Sequence, residues 1–559
     1  MLKRLLIVAV LAGVLAGPAQ PQFTQALLMP GVGYSRQVHF TAYGPVAIHV
    51  ITAPRPTGAY ALKPVLSNGA ILGRERVTTM QQALSAEYTV AGVNGDLFAW
   101  ADGRPSGMLL RSGVIDHAPL PERSAIGITA DGTLKVDRLR MFGTWRGVSQ
   151  RRPMEINNPP GPNGVSLYTS AWGPATPPGQ GTLEATIYPL PPTTTGADLA
   201  GPVIQVTQNG STPIPAGGAV IVARGTGAQR FAEEAPVGTN VTFRFLLNPD
   251  WPAEGVVDAI GGGPVLVRDG KPVFRHFEGF TSAQLARNPR TGVGQLADGR
   301  ILLVVVDGRQ RGYSVGMTNF ELALTMMRLG AVTASSLDAG GSSTIAFDGK
   351  LLNRPSDRGG ERAVSECLCL LYNGIYAPPA TEAVLSPNGD GVGEVQGLAY
   401  KVTRASTVTV SLVGPDGLAR QVETGPKEPG LYQFDWTGAA EPEGRWRYEV
   451  LAVDEAGATT SAAREFSLNR TVAGLSLQVR QRPRNLTASF TLARAARVTL
   501  RLETRAGAVV ATAARRQLAA GPQTVVWKVK ARAGRYVLRV IARNELGSMD
   551  LTQPLSLRR

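Results

Sequence analysis

Cysteine is almost absent: the 559 residues hold two, Cys367 and Cys369. Two thiols exclude a disulfide framework and a four-thiolate zinc site. Histidine is scarce as well, with His39, His49, His117 and His276 scattered along the chain. Four scattered histidines do not point to His-rich metal chemistry, and neither a metal site nor a cofactor is expected. Charged residues make up only 18%, below the usual level of about 25%. After residue 16 no apolar run approaches the length that crosses a bilayer. What is abundant is glycine (65) and proline (40), a composition of turns rather than long surface helices. The hydrophobic fraction of 43% excludes a wholly disordered chain. At about 150 residues per domain the length suggests three or four domains.

Acidic residues are missing from one region in particular. Residues 471–559 carry 17 basic residues against Glu503, Glu545 and Asp550, a net charge of +14. The first 470 residues carry 40 basic and 39 acidic groups, a net of +1. The excess of positive charge thus belongs to the last segment, which points to an anionic partner there. Arg497-Val498-Thr499-Leu500-Arg501-Leu502-Glu503 alternates cations with apolar residues, an arrangement that lines cations on one sheet face. An anionic polymer of the cell envelope suits such a face. Nucleic acid suits it less, because stacking aromatics are not interleaved.

The start reads as a secretory signal peptide over residues 1–19. Lys3 and Arg4 precede an apolar stretch from Leu5 to Ala16, and Gly17 and Ala19 provide small residues for cleavage. The expected location is secreted, periplasmic or at the cell envelope, with no transmembrane segment after cleavage. The two cysteines fall in Val364-Ser365-Glu366-Cys367-Leu368-Cys369-Leu370-Leu371, which reads as a buried strand. Residues i and i+2 share a face, but a disulfide between such neighbours is geometrically awkward. They read as two small core hydrophobes.

Short alternating runs such as Val46 to Ile51 and Ser124 to Ile128 predict strands, with one helix near Thr78 to Tyr88. Residues 153–218, dense in Pro, Gly and Thr, read as an excursion from a module spanning 40–377. Within that module Ile301 to Val306 is an apolar run of strand length ending at Asp307. A helix from Thr318 to Leu329 and a second strand ending at Asp338 follow. A strand–helix–strand pattern of this kind predicts an α+β (mixed α/β) catalytic module with Asp307 and Asp338 at the ends of strands, where ligands collect. Beyond the linker Pro378-Pro379, two stretches align: Val408 to Val410 with Val498 to Leu500, Trp436 with Trp527, Gly457 with Gly547. Two all-β Ig-like sandwiches are expected, at 380–470 and 471–559.

Six segments carry candidate chemistry: Val93 to Phe98, Asn288 to Gly294, Asp307-Gly308-Arg309, Ser314 to Glu321, Leu337 to Ser343, and Asn353 to Asp357 with Arg362. In this order they resemble the phosphodiester glycosidase family, whose bacterial members are often exopolysaccharide-related. The resemblance covers roughly 40–376 and is closest across 251–376. Ala339 stands where the family usually shows a further Gly, and Asp96 replaces a small residue. Neither change removes a candidate catalytic side chain, but Asp96 bears on substrate preference. Ser386 to Gly391 resembles the entry to bacterial Ig-like repeats. A structural calcium at Asn388 and Asp390 would find few carboxylates.

The resemblance implies hydrolysis of a sugar C1–oxygen bond whose leaving group is a phosphate monoester. With a second pKa near 6, that group leaves with less acid help than an alcohol needs. Asp338, Glu321 and Asp307 are the implied catalytic carboxylates. Gly340, Gly341, Ser342 and Ser343 form the implied anion nest, and Arg290 and Arg362 the forked phosphate clamps. Asp357 and Asn94 complete the implied substrate site. Each also has a plain reading: Asp338 as a turn-former, Thr318-x-x-Glu321 as a capping box, Asp307 as a strand-end cap, Asn94 as an Asn-Gly turn residue. Ser342 as a nucleophile would need a histidine base, and none lies in these segments. Two other functions compete: a non-catalytic glycan-binding envelope protein, and an exo-glycosidase on unphosphorylated sugars.

Overall fold

The computed structural model describes residues 23–121, 123–273, 278, 280–513 and 516–558. The secretory signal expected over residues 1–19 lies outside the described residues. No helix among those described is long and apolar enough to cross a membrane.

The expectation of an α+β catalytic module does not hold. The described structure is 55% strand and 7% helix, and the described α-helices are Val77–Ala83, Gly225–Glu234, Ser282–Leu285 and Asn319–Arg328. The physical reason lies in Ile301–Val306, whose six residues are all buried. A continuous apolar strand usually marks a parallel sheet covered on both faces. Here the strand is antiparallel to both neighbours, Gly44–Ala53 and Arg290–Leu296, yet still has a core on each face. Ile301, Leu303 and Val305 join a core shared with Ala91, Val93, Leu368 and Leu370 of a second sheet. Leu302, Val304 and Val306 meet Leu322, Ala323 and Met326 of the helix Asn319–Arg328.

Eight strands form the sheet that holds these elements, in the order Phe23–Met29, Val32–Thr41, Gly44–Ala53, Ile301–Val306, Arg290–Leu296, Ala331–Ser336, Val265–Arg268, Lys271–Pro272. A five-stranded sheet centred on Thr89–Asn94 and Glu366–Tyr372 packs against it, as does another containing Ser124–Thr129 and Val256–Gly261. Residues 153–218 contribute strands to a closed barrel that runs from Arg140–Arg146 to Asn240–Asn248. Trp145, Phe231, Phe243 and Phe245 fill its core.

Cys367 and Cys369 are joined in a disulfide, contrary to the reading of two free thiols. Both are fully buried among Val77, Met80, Val90 and Val364. Their shared strand face, which made them look like core hydrophobes, also brings the sulfurs together.

Beyond residue 380 the strands form two-sheet stacks. In the first, a five-stranded sheet containing Ser406–Val413 and Gly444–Asp454 faces the pair Gln396–Val402 and Gly430–Trp436 over Tyr400, Trp446 and Tyr448. In the second, Val472–Gln481, Arg484–Leu492 and Gly521–Lys528 face the sheet of Ala496–Thr504, Gly534–Asn544 and Gly547–Leu557.

Candidate active site

Sheet topology brings the site together. Ile301–Val306 and Ala331–Ser336 both pair antiparallel with Arg290–Leu296, which lies between them. Their C-terminal ends therefore share one sheet edge with the N-terminal end of the middle strand. Arg290 stands opposite Val306, and Gly292 opposite Ser336. Asp307, Arg290 and Asp338 are placed there by register, although 48 residues separate the first from the last in the sequence numbering.

Asp338 lines a small pocket with Arg290, Arg123, Leu97, Phe280 and Asn319. Burial pushes its carboxyl up to about 6, against the pull of the Ser342 hydroxyl and the Ala339 N–H; Asp96 adds to the rise and Arg362 opposes it. The Ala339 N–H donates to Oδ1 at 2.7 Å. Arg290 is buried, and its guanidinium donates only to carbonyls among its described partners: Met317 at 2.9 Å, Gln284 at 2.8 Å and Ala286 at 2.5 Å. Burial, with Arg309 nearby, lowers it to about 10, while Asp338 and Glu321 oppose the drop. Arg290 is therefore a charged group at neutral pH with no carboxylate hydrogen-bonded to it.

Other expected site residues are engaged in holding this centre. Asn94 is fully buried; its amide donates to the Asp338 and Gly95 carbonyls, each at 3.0 Å, and its oxygen accepts from Thr291 Oγ1 and the Thr344 N–H. Asp307 accepts from His49 Nε2, the Tyr313 hydroxyl and Asn353 Nδ2, each at 2.9 Å, and from the Arg354 N–H at 3.2 Å. Asn353 in turn donates to the Ser343 carbonyl, so Asp307 braces the Gly340–Ser343 turn from behind. Glu321 closes a capping box with Thr318 and accepts from Arg287 at 2.5 Å; these donors hold its carboxyl below the usual range despite partial burial.

The turn itself is tightly packed. Gly340 has φ +72°, a left-handed conformation that favours glycine. A Cβ at Gly341 would lie 2.0 Å from Arg362 Nη2 and 2.1 Å from Asp357 Oδ1. Arg362 forks onto Asp357 (2.8 and 3.0 Å) and donates to Ser342 Oγ at 3.2 Å. Two of the turn amides have internal acceptors, Gly340 on Pro289 and Ser343 on Gly340. With those two amides taken, the Gly340–Ser343 amides do not form an open nest as a set. Near the tail entry, the Asp390 and Asn388 side-chain oxygens accept backbone N–H groups.

Sequence reasoning did not single out Arg123, Glu366 or Trp100 as site residues, and held Arg309 only as part of a candidate segment. Arg123 makes a two-pronged pair with buried Asp96 at 2.7 and 2.9 Å, so the unusual Asp96 is neutralised inside the wall. Beneath it, burial pushes the Glu366 carboxyl up to about 8, with Asp96 adding to the rise. A lone acid heading the apolar run Cys367 to Leu371 was the signal for it. Arg309 lies against Gly340. Trp100, 63% exposed, lies at the rim with the Arg362 guanidinium 5.1 Å from its ring centre.

Residues 195–371 match the family model for phosphodiester glycosidase. The match contains every expected site residue except Asn94. The chain is 37% identical over 121 residues to the uncharacterised SPbeta prophage-derived protein YomE of Bacillus subtilis (strain 168), covering 22% of this chain and 18% of that protein. Among solved structures it is similar to a hypothetical protein from Synechocystis, with 24% identity, TM-score 0.53 and coverage of 63% of this chain and 64% of that one; this likeness concerns the fold. A zebrafish N-acetylglucosamine-1-phosphodiester alpha-N-acetylglucosaminidase catalytic domain aligns more loosely, at 16% identity and TM-score 0.32 over 64% of this chain and 85% of that one.

Proposed function

We propose that the protein is a secreted hydrolase that cleaves the sugar C1–oxygen bond of sugar-1-phosphodiesters in envelope or extracellular glycans. The observation that carries the reading is one pocket shared by Asp338 and the carboxylate-free cation Arg290. An acid held near 6 is mostly ionised at neutral pH, fit to attack C1 or to activate water. Arg290, with Arg362 and Arg309 around the turn, offers positive charge to the departing phosphate. A phosphate monoester leaves without a strong general acid. That matches the engagement of the other two candidate carboxylates: Glu321 is committed to its cap and Arg287, and Asp307 to four donor groups. Asn94 and Asp307 are positioning residues in this scheme, not catalytic ones. Turnover of a matched sugar-1-phosphodiester and aryl glycoside tests the proposal. The phosphodiester should be hydrolysed and the aryl glycoside left nearly intact; the reverse preference would overturn it.

A further inference from the structure

The last two-sheet stack carries arginines in register. Arg497 stands directly opposite Arg543 on the adjacent strand, and Arg501 opposite Arg539. Arg505 and Arg535 lie one position beyond the last registered pair, Thr504 with Tyr536, and both are exposed. Val498, Leu500 and Leu502 of one strand and Leu538, Val540 and Ala542 of the other pack into the core. By strand alternation Arg497, Arg501, Arg535, Arg539 and Arg543 belong to the opposite, outward face, and Arg505 opens the turn that follows Thr504. The result is a ladder of two registered arginine pairs, extended at one end by exposed Arg505 and Arg535, with rungs about 13 Å apart and strands about 5 Å apart.

Like charges directly opposite one another in a sheet are destabilising, so this arrangement gains nothing for folding. The acids on the face gather at the middle rung only. Glu503 and Asp550 both pair with Arg539, and Asp390 accepts from Thr552 next to Asp550. Among the described residues no ion pair reaches Arg497, Arg543, Arg505 or Arg535. The outer rungs are exposed forks for phosphate or carboxylate. Between the rungs lie Ile541, Val537 and the nearly buried Thr499, and no aromatic residue on which a base would stack.

We propose that this ladder binds a phosphate-bearing polysaccharide along the direction of the strands and so retains the enzyme on its polymer. The choice of phosphate-bearing glycan over another polyanion rests on the function proposed above. The ladder is an extended row rather than a pocket, which suits a polymer with repeated charges.

Binding of the full chain to phosphomannan, a polysaccharide with sugar-1-phosphodiesters, tests this, with neutral mannan and duplex DNA as comparison probes. Arg497→Gln with Arg543→Gln, and Arg505→Gln with Arg535→Gln, should each weaken phosphomannan binding about tenfold. Lys528→Gln with Lys530→Gln removes equal charge elsewhere in the same stack and should change it less than about twofold. Equal loss in all three variants, undiminished binding in the rung variants, or DNA held as tightly through the same rungs would each overturn the ladder. All variants should hydrolyse a small soluble sugar-1-phosphodiester like the parent. A chain that hydrolyses that substrate but ignores phosphomannan refutes the ladder alone. One that binds through the rungs without hydrolysis refutes the proposed activity alone.

Discussion

Replacing Asp338 by Asn should inactivate the enzyme and stabilise it at neutral pH. The carboxyl is raised from 3.8 to about 6, chiefly by burial. The folded chain therefore binds this proton more tightly than the unfolded chain does. Between about pH 4 and 6 the folded state holds more protons, so stability falls as pH rises through that window and the loss is complete above it. A shift of about two units corresponds to about 3 kcal/mol. Asn keeps the shape without the charge, but it replaces one accepting oxygen by an NH2 group, which returns about 1 kcal/mol. The net expectation is a gain of about 1–2 kcal/mol near pH 7 and none near pH 4, where the native carboxyl is already protonated. Urea unfolding of the parent and D338N at both pH values, paired with turnover, reads this directly. Loss of stability at neutral pH, or retained turnover, would refute the view of Asp338 as a half-buried, charged reacting group.

Parent turnover should decline as pH falls through about 6, as Asp338 takes up its proton; a flat profile there would argue against it. Arg290→Lys should lose most phosphodiester turnover and cost about 1–3 kcal/mol, because one ammonium cannot serve three carbonyls and a phosphate together; kinetics and unfolding measured on the same variant check both. Gly341→Ala should displace Arg362 from Ser342, seen as a fall in kcat and loss of the Arg362–Asp357 pair in a crystal structure. Glu366→Gln should matter little in acid and stabilise increasingly as pH rises from about 4.5 to 8, since the native carboxyl keeps its proton to about 8; unfolding midpoints across that range show the trend.

Much of the centre was visible in local sequence. The Asp338 to Ser343 turn follows a strand and needs its glycines, and the Thr318 and Glu321 capping box forms as its spacing implies. The phosphodiester glycosidase resemblance was likewise carried by short motifs. Register was not legible. Ile301–Val306 read as a strand of an α+β module because its two faces meet two cores, and antiparallel pairing with a distant hairpin leaves no mark on its own residues. Asn94 looked free to meet a sugar because three of its four partners lie 197 to 250 positions away. The arginine ladder was half visible: the alternation in one strand could be seen, but not that Arg497 would face Arg543.

Hydrolysis of a sugar-1-phosphodiester in water enriched in oxygen-18 tests the central claim most directly. Cleavage between the sugar C1 and oxygen, with Asp338 acting at C1, places the label in the sugar hydroxyl and leaves the phosphate monoester unlabelled. Label in the phosphate would mean attack at phosphorus, and would contradict the account.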